Sequence, residues 1–279
     1  MTADALSITD LHATAGGKAV INGVDLTIRR GEVHVLFGPN GSGKSTLLSA
    51  IMALPGFAVT QGSVKVAGSE AVGMPTDRIA ALGVGMSFQH PPAISGVTLA
   101  SFLLAINRSR DLEEEIRELD LEAFLLRELN VGFSGGELKR AEILKLYAQD
   151  PGLLLIDEPE SGVDIENIEV ISHAINKMLH RGVLEKGLRK SALIITHTGH
   201  ILGTVSADVG HVFMDGRIAY TGDPDTIMQG IKTRGFQGCV DYLSGRKEHK
   251  WNTKHWTREL GKRLKASPLA RVLTGRLPF

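Results

Sequence analysis

Cysteine is almost absent from this chain of 279 residues, in which Cys239 is the one example. A single thiol cannot form a disulfide framework within the chain or hold a metal cluster by itself, so neither the fold nor the chemistry rests on sulfur. Long apolar runs are also lacking, since no stretch approaches the roughly 20 residues that a membrane helix needs. The opening residues MTADALSITD lack the basic start and apolar core of a signal peptide. We therefore expect a cytoplasmic protein with no direct membrane insertion.

The composition is that of a folded globular protein, with 43% hydrophobic and 22% charged residues. The formal net charge is zero, but the charges are unevenly distributed along the chain. Residues 230–279 contain 12 Lys and Arg against 3 Asp and Glu, whereas residues 1–229 contain 19 against 28. This asymmetry predicts a main domain over residues 1–229 and a basic C-terminal extension over residues 230–279.

The hydrophobic pattern predicts an α/β fold. Apolar and polar residues alternate in LSITDL and VDLTIRR, which is typical of half-buried strands. The short apolar runs in EVHVLF, LLLID and ALIIT are typical of strands buried in a parallel sheet, and helical segments separate them. Between these runs, residues 90–135 or so have mainly helical character, which indicates a small inserted helical subdomain. Asp215-Gly216 predicts a hairpin turn.

A glycine-rich segment after the first of these buried strands fits the pattern of a phosphate-binding loop, G-x-x-x-x-G-K-[ST]. Its backbone N–H groups can curl around phosphate oxygens, and the helix that follows presents its positive end to them. Lys44 supplies a point charge to the β- and γ-phosphates of a nucleotide, and Ser45 offers a hydroxyl to Mg²⁺. An ordinary glycine-rich turn would not explain the adjacent Lys-Ser pair. The expected phosphate-binding residues are Gly38, Pro39, Asn40, Gly41, Ser42, Gly43, Lys44, Ser45 and Thr46.

Two carboxylates, Asp157 and Glu158, end the apolar run LLLID. Acids at the end of a buried strand are costly unless something positive lies opposite. Because a phosphate-binding loop is present, we expect Asp157 to face nucleotide-bound Mg²⁺ and Glu158 to polarise the attacking water as general base. The alternative is a solvated pair of acids that begins a loop.

A serine and two glycines open another predicted helix, in the segment FSGGE. Small residues at a helix N-terminus can form a second anion site, although Ser-Gly-Gly is also a common capping turn. Its place 20-odd residues before Asp157 favours the anion site. The residues concerned are Ser134, Gly135, Gly136 and Glu137.

The order of these motifs resembles that of the ABC ATPase family over nearly all of residues 5–228. The resemblance implies a nucleotide-binding domain with a parallel-sheet core around the phosphate-binding loop, an antiparallel N-terminal part and an inserted helical subdomain. It also implies that two copies dimerise on binding ATP, and that FSGGE contacts the γ-phosphate held by the other copy. By the same resemblance, Gln89 links Mg²⁺ and water to the helical subdomain, Asp164 belongs to the D-loop, and His197 contacts the γ-phosphate.

One feature departs from the family pattern. An aromatic ring that usually stacks on adenine just after the first strand is replaced here by Ala13, Thr14 and Ala15. Adenine would then be held more weakly, or by other apolar residues.

Several separated segments are similar to the SufC branch of the family, namely NVGFSGGELKRAEIL, DEPESGVDIEN, FAVTQGSV, MSFQHPPAISGV and HVFMDGRIAYTGDP. This resemblance implies an ATPase that acts on a SufB-type scaffold protein in iron–sulfur cluster assembly. The alternative is the ATPase subunit of a membrane transporter. A soluble ABC protein that acts on DNA or ribosomes is less favoured, since such proteins carry two cassettes or long inserted coils, so nucleic acid is not an expected partner.

The basic extension lies outside this resemblance. Trp256, Leu260 and Leu264 recur every four residues, which predicts an apolar stripe on a basic helix. Such a helix can dock on the acidic main domain, serve as a partner-binding arm, or contact a membrane surface or nucleic acid.

Overall fold

The computed structural model describes residues 4–106, 111–180 and 189–245. Within these ranges the chain forms two main sheets, a two-stranded ribbon and seven α-helices. The strands are β1 Leu6–Ala15, β2 Lys18–Ile28, β3 Val33–Phe37, β4 Phe57–Val66, β5 Ser69–Glu70, β6 Val84–Ser87, β7 Ile94–Thr98, β8 Glu128–Leu129, β9 Leu153–Asp157, β10 Ser191–Ile195, β11 Val209–Met214 and β12 Arg217–Gly222. The helices are α1 Lys44–Ile51, α2 Thr76–Ala81, α3 Leu99–Ile106, α4 Glu113–Glu118, α5 Gly135–Gln149, α6 Ile165–His180 and α7 Pro224–Leu243.

The first sheet is antiparallel, in the order β2-β1-β4-β5. Its alternating sequence places Leu6 and Ile8 in the core while their neighbours are more exposed. The register shifts at Asp10, where φ is 44°, and beyond this irregularity Leu11 is buried again. The expected antiparallel N-terminal part is thereby confirmed.

The second sheet has six strands in the order β12-β11-β3-β10-β9-β6. All its neighbours are parallel except β11 and β12, which form the expected hairpin around Asp215 and Gly216. Every residue of β3, β9 and β10 is buried, as their uninterrupted apolar sequences predict. Because parallel strands end at one edge, the segments after β3, β6, β9 and β10 meet there.

The inserted region contains helices, as predicted, and a short ribbon that its sequence does not predict. Along the chain, α3, α4 and a short 3₁₀ turn at Glu122–Phe124 lie between the two strands of the β7–β8 ribbon. Helix α4 ends at Glu118, because Asp120 adopts a left-handed backbone with φ of 50°. Leu119 and Leu121, on either side of it, are buried in the core below α5 and α6.

The predicted boundary between residues 229 and 230 falls inside α7. Ile227 and Met228 before that position pack with Cys239 and Val240 after it, against β3 and β11. The backbone changes direction at Gly235, where φ is 70°. Both halves of α7, as far as Leu243, thus pack on the sheet. The predicted apolar stripe of Trp256, Leu260 and Leu264 lies outside the described residues.

No helix in the described part of the chain is long and apolar enough to cross a membrane.

Candidate active site

The phosphate-binding loop connects β3 to α1, as predicted. Gly43 caps the helix with φ of 104°, a left-handed conformation that glycine adopts without steric cost. At Gly38 a side chain is excluded for another reason, since a Cβ there would lie 2.3 Å from the carbonyl oxygen of Phe213. The loop therefore curls tightly against the end of β11.

The buried ammonium of Lys44 donates hydrogen bonds to the carbonyl oxygens of Gly38 (2.9 Å) and Pro39 (3.0 Å). Burial lowers the pKa of Lys44, and the nearby carboxylates of Glu158 and Asp157 act in the opposite direction. The loop thus holds a concentrated positive charge where phosphate groups would lie.

A cavity of about 500 Å³ opens beside this loop. It brings together half of the predicted site residues, from four separate segments of the chain. Its lining consists of Val20, Asn40, Gly41, Gly43, Lys44, Ser45, Thr46, Gln89, Glu158, Ser161 and His197. The parallel sheet explains this convergence, because each segment follows a neighbouring strand.

Asp157 is 3% exposed and does not itself line the cavity, but its carboxyl is hydrogen-bonded to Ser45, which does. Burial raises the pKa of this carboxyl, the hydrogen bond with Ser45 opposes the rise, and the charge of Glu158 adds to it. Its Oδ1 atom is buried and has no hydrogen-bond partner among the described residues. An unpartnered carboxylate oxygen beside a serine hydroxyl is a donor set that suits a hard cation such as Mg²⁺.

Glu158 is bonded to the segment that follows β6. Gln89 Nε2 donates to Glu158 Oε2 at 2.6 Å, across 69 positions of sequence. His197 lies near the other carboxylate oxygen, with its Nδ1 atom 3.6 Å from Glu158 Oε1. The backbone of Glu158 has φ of 44°, in the left-handed region, a conformation that costs on the order of 1–3 kcal/mol for such a residue. Hydrogen bonds from Glu158 N to Ile195 O and from Ser161 N to Glu158 O hold it there.

Two residues of α5 that sequence reasoning missed fix the position of Gln89. Lys139 donates to the carbonyl oxygen of Gln89 at 3.0 Å, and Glu142 accepts from the Phe88 amide at 3.0 Å. Both side chains are buried. Burial lowers the pKa of Lys139, and Asp157 is the acid that opposes this most strongly. The LKRAE pattern gives no sign of this contact, since charged residues on a helix usually face solvent.

The residues of the FSGGE segment lie apart from the cavity. Ser134 caps α5 and its Oγ accepts from the Glu137 amide, while Glu137 Oε2 accepts from the Ser134 amide at 2.7 Å. This reciprocal pair is a capping box, so the side chain of Glu137 is engaged within its own helix. A Cβ on Gly135 would lie 2.8 Å from the carbonyl oxygen of Gly162.

Asp164 likewise caps α6 through Asn167 and does not line the cavity. The structure therefore separates the predicted site residues into a cavity group and a second group. The second group is formed by Ser134, Gly135, Gly136, Glu137 and Asp164.

The part of the site that would hold adenine differs from the family pattern, as the sequence Ala13-Thr14-Ala15 predicts. Val20, on β2, is the apolar side chain of the lining and lies next to Gly43; among the described residues no Phe, Tyr or Trp belongs to the lining. The segment Ala13–Ala15, where the family pattern has an aromatic ring, forms the end of β1.

Comparison with known proteins agrees with this arrangement. Residues 21–161 match the model of the ABC transporter family. The chain is 40% identical over 251 residues to Vegetative protein 296 of Bacillus subtilis, covering 85% of this chain and 93% of that protein. It is 36% identical to the probable ATP-dependent transporter SufC of Escherichia coli, covering 83% of this chain and 97% of that protein.

A solved dimeric ATP-binding cassette in a post-hydrolysis state with ADP and Pi shares the fold. Its TM-score is 0.64 and its identity 23%, covering 78% of this chain and 98% of that one. The chain belongs to the ABC transporter family and is an ATP-hydrolysing ABC ATPase of the SufC type.

Proposed function

We propose that the chain is the ATPase subunit that drives conformational change of a SufB-type scaffold protein in iron–sulfur cluster assembly. The observation that carries this proposal is the bond from Gln89 to Glu158. This hydrogen bond joins Glu158, which would act on water, to Gln89, which is followed directly by the exposed segment 90–94. The name of the Escherichia coli relative, SufC, supports the choice of partner.

In this proposal the phosphate-binding loop and Lys44 hold the phosphates of ATP, and Glu158 takes a proton from the attacking water. Ser45, Asp157 and Gln89 would hold Mg²⁺, which supplies charge neutralisation at the β- and γ-phosphates when bound. His197, whose Nδ1 atom lies 3.6 Å from Glu158 Oε1, would contact the γ-phosphate.

The second group of residues completes the site of another copy. Ser134 and Gly135 are exposed at the N-terminus of α5, where free N–H groups and the helix dipole favour an anion. Ser134 and Gly135 do not line the cavity of their own copy. In this proposal they therefore bind the phosphate of a nucleotide held by a partner copy. Two copies arranged head to tail would enclose two nucleotides, and ATP binding would draw them together.

The surface that would receive the scaffold lies on the inserted region. Segment 90–94 is exposed except at Pro91, and Asn130 anchors it with a 2.8 Å hydrogen bond to the carbonyl oxygen of Pro92. Ile94 is 38% exposed in β7, and Leu104 and Leu126 add larger apolar areas at 76% and 86%. A loop held in one shape by two prolines loses little entropy on docking.

Replacement of Ile94 by Asp should abolish capture of the scaffold. The charge would have to be desolvated at the contact, whereas the groups that bind phosphate are untouched. We expect the basal ATPase rate of the isolated subunit to stay within about tenfold of wild type. The matched control is Val72→Asp, because Val72 is 37% exposed but lies beside the antiparallel sheet. Capture of the scaffold by the Ile94→Asp variant at wild-type strength would place the docking surface elsewhere.

The alternative function is ATP-driven transport, which the name of the same relative also mentions. Anaerobic purification of the tagged chain from its native host distinguishes the two. A bound protein that carries iron and sulfide supports cluster assembly, and a polytopic membrane protein supports transport instead.

A further inference from the structure

Glu160 is a buried acid with no place in the scheme above. Its side chain is 5% exposed, and its Oε2 atom has no hydrogen-bond partner within the described ranges of the chain. A carboxylate in such a position costs free energy that a neutral side chain would not. The buried ammonium of Lys139 is close enough to offset part of that cost.

The other oxygen of Glu160 is fully used. Oε1 accepts hydrogen bonds from the hydroxyls of Thr196 and, at 2.8 Å, Thr198. These two threonines stand immediately before and after His197 in the sequence. One carboxylate oxygen of Glu160 is thus hydrogen-bonded to both sequence neighbours of His197.

The imidazole of His197 has no comparable hydrogen bond from the part of the chain that the structure describes. Its Nδ1 atom has no partner there, and the 3.6 Å separation from Glu158 Oε1 is too long for a hydrogen bond. The ring is therefore positioned by the backbone on either side of it. That backbone is tied further by a 2.8 Å bond from the Gly199 amide to Thr196 Oγ1.

We propose that Glu160 is a positioning residue that holds His197 beside Glu158 through the hydroxyls of Thr196 and Thr198. This rests on the proposed contact between His197 and the γ-phosphate. Because Glu160 lies two residues after Glu158 on the same loop, it keeps the histidine and the proposed general base in one fixed relation. Glu160 is not among the residues that line the cavity, so its effect is exerted through His197.

The test measures steady-state ATP hydrolysis by the full chain carrying Thr198→Val, Thr198→Ser or Glu160→Leu. A displaced catalytic group costs rate rather than ground-state affinity, so we expect Thr198→Val to lower kcat by about tenfold and Glu160→Leu by about a hundredfold, with KM for ATP within about twofold. Thr198→Ser keeps the hydroxyl and should restore kcat to within about twofold of wild type. The control is Thr76→Val, which removes a threonine hydrogen bond to the Ala53 carbonyl oxygen outside the site and should leave kcat unchanged.

A double-mutant cycle separates positioning from a general structural role. In a His197→Ala background, Thr198→Val should cause no further loss of kcat, because the group that it misplaces is already gone. An equal loss in both backgrounds would overturn the proposal, as would a wild-type kcat for Thr198→Val when His197→Ala is impaired. If His197→Ala itself has a wild-type kcat, the contact between His197 and the γ-phosphate is the part that fails.

Discussion

Replacing Glu158 by Gln should lower ATP turnover by roughly 10²–10⁴ while leaving ATP binding intact, since removal of a general base has effects of this size. The amide has nearly the shape of the carboxylate, so Gln89 and the phosphate-binding loop keep their places. What is lost is the proton acceptor beside the attacking water. With hydrolysis blocked, the ATP-bound pair of copies should accumulate in its closed form.

Two measurements check this result: single-turnover hydrolysis of radiolabelled ATP, and the mass of the protein by light scattering with and without ATP. The matched control is Glu169→Gln, which neutralises an exposed acid on α6. Hydrolysis by the Glu158→Gln protein within about threefold of wild type would remove Glu158 from the role of general base.

The second large effect concerns mixed dimers. Lys44→Ala damages the phosphate-binding loop of its own copy, whereas Ser134→Arg places bulk and charge at the N-terminus of α5, away from its own cavity. Each variant alone should lose activity by roughly a hundredfold or more, because both nucleotide sites of each homodimer carry a defect. In a mixture, one site of each heterodimer combines an intact loop with an intact Ser134.

Mixing the two variants should therefore restore activity, up to about a quarter of the wild-type rate at equal amounts if dimers form at random and the sites act independently. The rate is measured over a series of mixing ratios, with Ser134→Arg mixed with itself as the reference. If no ratio exceeds the sum of the separate rates, either Ser134 does not serve the partner's site or the two sites do not work independently.

The sequence predicts the parts of the site that depend on a short stretch of chain. The glycines of the phosphate-binding loop and the acids after LLLID carry their chemistry in local pattern, and the parallel sheet brings them together. Gln89 could be named only through the family resemblance, because nothing local marks a glutamine that bonds to an acid 69 residues away.

Other features depend on packing that sequence does not show. The sequence predicts that Lys139 and Glu142 are exposed charged residues of a helix, yet both are buried and hydrogen-bonded to the backbone of Phe88 and Gln89. In the sequence nothing distinguishes Glu160 from other acids in loops; its hydrogen bonds to Thr196 and Thr198 depend on the folded structure.

The β7–β8 ribbon escaped prediction for a different reason. Its strands have five and two residues and no clear alternation, so the helical pattern of the neighbouring residues dominates any sequence window. The boundary predicted after residue 229 rests on charge, and charge does not determine where α7 begins or which of its residues pack on the sheet.

The central claim is that ATP is hydrolysed between two copies of this chain, and the dependence of specific activity on protein concentration tests it most directly. The rate per mole of chain should rise with concentration and reach a plateau, in parallel with the dimer fraction measured by light scattering in the same samples with ATP. A specific activity that stays constant while the measured mass is that of a single copy would show that one chain hydrolyses ATP unaided, and would contradict the account.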